Sequence, residues 1–183
     1  PDGATRLFPG SLGGELMPAW TTPRTWNNEQ VTDTKLHTDL RDNSNFLLGI
    51  RKVKTADETV NNSAVLQNDD TLVAAVEANL TYTFLVFLSV VSNATADFQC
   101  TLTGPAGATL NWGAIGPQNV GSNRSVNAAV DGVLTHDMTG TQSFVILMGT
   151  IEVAGTAGNL TVQWAQSVAQ VVDTKVERGS FLM

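Results

Sequence analysis

A single cysteine, Cys100, stands in 183 residues, so no disulfide can form within the chain. That fits folding in a reducing compartment. Cys100 alternates with Phe98 and Leu102, the pattern of a small buried hydrophobe on a strand. A reactive thiol would need a basic neighbour to lower its pKa, and the flanking residues supply none. Long apolar runs are also missing. The longest, "FLVFLSVV" at Phe84–Val91, falls far short of the roughly 20 residues a membrane-spanning helix needs. "PDGATRLFPG" has no apolar core of the signal-peptide kind, so cytoplasmic folding without a membrane partner is expected.

Positive charge is scarce beyond residue 54. Residues 55–183 carry three Lys and Arg against eleven Asp and Glu, a net of −8, whereas residues 1–54 carry seven basic groups against six acidic ones. Nucleic-acid binders need a basic footprint that releases counterions from phosphates, and none is offered here. The acidic part suits a solvent-facing head, and the near-neutral part is where contact with another surface is expected.

Catalytic signatures are absent as well. "GSLGG" lacks the Lys-Ser/Thr of a phosphate loop, and there is no GxSxG elbow. The two histidines, His37 and His136, fall on different elements, and no Cys or His pair has zinc-ligand spacing. His136 and Asp137 are neighbours on a strand and point to opposite faces, so the carboxylate cannot orient the ring for a triad. "DNSN" at Asp42–Asn45 lacks the Gly of a calcium loop. Five Asn-x-Ser/Thr sites (Asn61, Asn79, Asn93, Asn123, Asn159) carry no weight without a secretory route. A non-enzymatic protein with no cofactor, metal or nucleic-acid partner is expected.

What is present divides into three parts. Residues 1–30 are rich in Gly, Pro and Thr and cannot close a core of their own. They nevertheless carry Leu7, Phe8, Leu12, Leu16, Met17, Trp20 and Trp26, more large apolar groups than a solvated linker needs. An extended attachment arm lying on a partner surface accounts for both facts; an arm folded back on its own domain is the alternative. Residues 31–54 read as a helix, capped by Thr32 or Asp33. Leu36, Leu40, Asn43, Leu47 and Ile50 follow at spacings of four, three, four and three, a heptad seam of two repeats. So short a seam is marginal alone and makes sense where copies are already held together. Packing on its own sheet is the alternative. Arg51, Lys52 and Lys54 suit the negative end of such a helix.

From residue 55 to 183 the period is two. "TADFQCTLT" and "NLTVQWAQS" alternate cleanly, with Phe98, Cys100, Leu102, Leu160, Val162 and Trp164 inward. "LTYTFLVFLSVV" and "SFVILMGTIEV" are apolar on both faces, so they need cover on both sides, from a central position or from another subunit. Turn signals (Gly104-Pro105, Gly116-Pro117, Asp131-Gly132, Gly155, Gly158) divide the region into about eight strands, as in an antiparallel β-sandwich. Trp112 in "LNWGAIGPQN" is either a core residue or a platform for a glycan.

"PRTWNNEQVTDTKLHTDLRDNSNFLL", from Pro23 to Leu48, resembles a segment recurring in structural proteins of tailed bacteriophages, in which a Pro-Arg-Thr-Trp arm leads to "VT" and then "LRDN". The matching residues are Pro23, Arg24, Thr25, Trp26, Val31, Thr32, Leu36, His37, Leu40, Arg41, Asp42 and Asn43. "AGNLTVQWAQSVAQVVDTKVERGSFL" (Ala157–Leu182) resembles the closing strands of their heads. The resemblance implies a homotrimer with jelly-roll-like heads: a capsid decoration or minor tail protein of the virion, assembled in the bacterial host cytoplasm. Its partners would be its own copies and the major capsid or tail protein. Phe8, Leu12, Trp20, Arg24 and Trp26 are the expected attachment residues, and Leu36, Leu40, Asn43, Leu47 and Ile50 the expected seam. A receptor- or glycan-binding head of a fibre or spike, with a host-surface glycan as partner, is the alternative.

Overall fold

The computed structural model describes residue 40 and residues 49–117, 124–128 and 132–183, with only the strand and its pairing described for 124–128. The arm at 1–30, and the helical pattern apart from Leu40, Gly49 and the residues after it, lie outside the described residues.

The described residues form twelve strands. They are β1 (Lys52–Val53), β2 (Glu58–Asn61), β3 (Gln67–Val76), β4 (Thr81–Val91), β5 (Phe98–Thr103) and β6 (Thr109–Gly116), followed by β7 (Arg124–Ala128), β8 (Leu134–His136), β9 (Gln142–Glu152), β10 (Gly158–Ala165), β11 (Asp173–Val176) and β12 (Phe181–Leu182). Five of these span only two to four residues, too short for a period to register, which is why about eight are legible in the sequence. All pairings are antiparallel.

The strands form two sheets. The larger runs β1-β12-β4-β9-β6-β7, with β11 also beside β4 and β2 beside β11; the smaller runs β3-β10-β5-β8. Leu72, Phe98, Leu102, Leu160, Val162 and Trp164 from the smaller sheet meet Val86, Leu88, Leu110, Trp112, Leu147 and Ile151 from the larger in one buried core. Each such side chain contributes about 1.5–3 kcal/mol on leaving water. The fold is therefore a mainly β, antiparallel sandwich, as the period-two pattern predicts.

Two aromatic residues share this core because of a glycine between them. Strand registers set Gly149 directly between Phe84 on β4 and Trp112 on β6. A Cβ at 149 would strike the Asn111 carbonyl oxygen and lie 2.7 Å from Trp112 Cα.

Three local expectations are corrected. The helix expected over 31–54 does not reach residue 54, because Lys52 and Val53 pair with Leu182 and Phe181 as β1. Lys54 does not decorate a helix terminus; its side chain is buried in the head. Asp97 does not alternate with Gln99 on a strand. It sits at φ 51 before β5, in the left-handed region that Asp and Asn tolerate best. The turn is built by Asn93, whose Oδ1 accepts from the Thr95 and Ala96 amides.

Candidate assembly surface

The doubly apolar strands β4 and β9 lie side by side in the middle of the larger sheet. Their inward faces (Phe84, Val86, Leu88; Val145, Leu147, Ile151) fill the core. Their outward faces are apolar too. Register aligns Val53, Phe181, Phe87, Ile146 and Ile115 in one row across β1, β12, β4, β9 and β6. Leu85 and Met148 stand opposite each other in the next row, and Phe144 lies on the other side of it, opposite Ser89. Phe87 stacks on Phe144 at 5.2 Å and on Phe181 at 5.5 Å between ring centroids.

These side chains are only partly covered. Phe144 is 52% exposed, Met148 43% and Val53 37%, while Leu85, Phe87, Ile115, Ile146 and Phe181 are half-buried. Polar rows bound the patch at both ends. Thr83, Thr150 and Asn111 align on one side. On the other, the Ser89 hydroxyl donates to Glu177 Oε2 at 2.6 Å, and Gln142 Nε2 donates to the same oxygen at 2.6 Å. An apolar centre with a polar rim is the anatomy of a protein interface.

A buried charged cluster braces the edge where the chain enters the head. Lys54 Nζ donates to Asp69 Oδ2 at 2.8 Å and to Glu58 Oε2 at 2.6 Å. Lys54 follows β1 in the larger sheet, Asp69 lies on β3 in the smaller, and the pair joins the two layers. Asp69 Oδ1 accepts from the Thr71 amide at 2.9 Å and the Leu72 amide at 2.8 Å, and its Oδ2 accepts from Trp164 Nε1 at 3.1 Å. Gln67 Nε2 donates to Glu58 Oε1 at 2.9 Å. Burial opposes charge on the Lys54 ammonium, but hydrogen bonds and attraction from Asp69 and Glu58 outweigh it and hold its pKa above the usual value. The backbone is tied as well: the Lys54 amide donates to Ser180 O and its carbonyl accepts from the Gly179 amide.

A cavity of about 310 Å³ opens between the sheets, lined by Gly49, Ile50, Ala74, Val76, Tyr82 and Phe84 among others. Of the expected seam, Ile50 is half-buried against the core and Leu40 is exposed. Leu36, Asn43 and Leu47 lie outside the described residues, as do the expected attachment residues Phe8, Leu12, Trp20, Arg24 and Trp26. Trp112 is a core residue, 2% exposed. His136 is fully buried and packs over Gly116, where an added Cβ would meet its ring. Burial pushes the Cys100 thiol up to about 12.

The sequence points to the assembly face through its doubly apolar strands, although it leaves open which face is covered. It does not reveal the Lys54 cluster. In sequence Lys54 reads as a cation at a helix end, and only the pairing of β1 with β12 turns it inward.

No protein-family model and no curated protein matches the chain. Among solved structures, a chain of infectious bursal disease virus, Gx strain, is 11% identical over 71% of this chain and 36% of its own, with a TM-score of 0.16. A chain of the Gt strain is 11% identical over 72% and 39%, with a TM-score of 0.15. This chain spans little more than a third of either, and at these TM-scores the likeness carries no argument about fold or function.

Proposed function

We propose that the chain is a non-enzymatic structural protein of a tailed-bacteriophage virion: a homotrimer whose N-terminal arm grips the capsid or tail while its acidic sandwich faces solvent. The observation that carries the assembly reading is the apolar outer face of the larger sheet. Exposing Phe144 and Met148 beside a stack of phenylalanines is unfavourable in water, and burial against other copies relieves it. The resemblance of Pro23–Leu48 and Ala157–Leu182 to phage structural segments supports the virion reading. So does the charge distribution, with a net of −8 beyond residue 54. A glycan-binding head loses its best platform, since Trp112 is inside.

The test is electron microscopy of purified particles labelled with an antibody raised against the head. Label at regular positions on the capsid or on the tail is the expected result. Its absence from particles that infect normally would contradict the virion assignment.

A further inference from the structure

We propose that Lys54 and Asp69 join through a side-chain amide, formed by the folded chain itself with Glu58 as the proton carrier. The grounds are geometric. A nucleophile, a carboxyl group, a second carboxylate and a pair of backbone amides converge in a site whose two reacting groups are shut off from water: the Lys54 side chain is 1% exposed and Asp69 0%, with Glu58 at the margin at 12%. These are the parts that acyl transfer requires. Lys54 Nζ rests 2.8 Å from Asp69 Oδ2 and 2.6 Å from Glu58 Oε2. Asp69 Oδ1 sits under the Thr71 and Leu72 amides, a ready anion hole.

The step balances without any co-reactant. The Lys54 ammonium passes one proton to Asp69 Oδ2, an uphill and therefore slow transfer because both carboxylates favour the charged lysine, and leaves an amine beside a carboxylic acid. The amine lone pair forms the new bond to Asp69 Cγ, and negative charge collects on Oδ1 against the two amides. Glu58 takes a second proton from Nζ and returns it to Oδ2. The Cγ–Oδ2 bond then breaks and that oxygen leaves as water, with Trp164 Nε1 donating to it. An ammonium and a carboxylate have become an amide and one water.

The place of the bond gives it a use. The N-terminal segment enters the head through β1, which pairs with β12 over two residues only. Load arriving from that segment would peel so short a strand. An amide from residue 54 to β3 would transmit the load to the second sheet instead. The inference stands whether or not the chain belongs to a virion.

Intact mass spectrometry of the denatured full chain tests it. The expected mass is lower than the sequence mass by one water, and fragmentation should locate a branched peptide joining residues 54 and 69. K54R should restore the full mass, and E58Q should remain largely unlinked while keeping its β circular dichroism. A wild-type chain at full mass after prolonged incubation overturns the proposal, as does a water deficit that persists in K54R. Should E58Q fail to fold, the wild-type and K54R masses still decide between the outcomes. Linkage in folded E58Q at the wild-type rate would overturn the role given to Glu58.

Discussion

Between Phe84 and Trp112 the larger sheet has room for two aromatic rings because residue 149 carries no side chain. Gly149→Ala would press a methyl group against the Asn111 carbonyl and the Trp112 backbone, which belong to a paired strand and cannot swing away. Overpacking of this kind costs about 1–3 kcal/mol. We expect a lower denaturant midpoint with an unchanged slope, read from equilibrium unfolding. Cys100 makes a second residue-scale case. Its thiol is raised from 9.0 to about 12 by burial, so the folded state holds the proton more tightly than the unfolded chain. The stability this lends is complete below pH 9 and drains away as pH climbs from 9 towards 12. A thiol reagent at pH 8 should therefore leave the native protein unmodified and label one site after denaturation. Rapid native labelling would mean that the strand carrying Cys100 opens easily.

At the scale of elements, β4 and β9 carry two duties, one on each face. Phe144 and Met148 project from the outer face, so charging them spares the core. Phe144→Asp with Met148→Asp should cost the monomer only the Phe87–Phe144 stacking, about 0.5–1.5 kcal/mol, and leave its fold intact. The same charges would be buried without partners in an assembled face and should abolish it. Sedimentation velocity should show the double variant running as a monomer. An oligomer of unaltered size would place the contact elsewhere. These strands also show what a sequence can disclose. Strands whose side chains alternate strictly in polarity, such as β5 and β10, are readable because every second residue must face the core. The two-faced pattern of β4 and β9 is readable as a demand for cover, but not as a choice between neighbouring elements and other copies. Short β1, β11 and β12 are held by pairing with distant strands rather than by any period of their own. For that reason Lys54 reads as a helix-end cation until β12 is seen beside it.

The whole molecule joins a sandwich head with an apolar flank to an N-terminal segment whose sequence is rich in large apolar groups. If the arm is the grip, deleting residues 1–30 should leave the head folded and oligomeric but absent from purified particles. Normal incorporation of the truncated chain would assign attachment to the head or to residues 31–54. Copies of this chain should cover each other's apolar sheet faces. Light scattering on the full-length protein at micromolar concentration measures that directly. A trimer gives about three times the 19.4 kDa of one chain, and a particle of 19.4 kDa across the same concentrations would rule out mutual cover of the apolar faces.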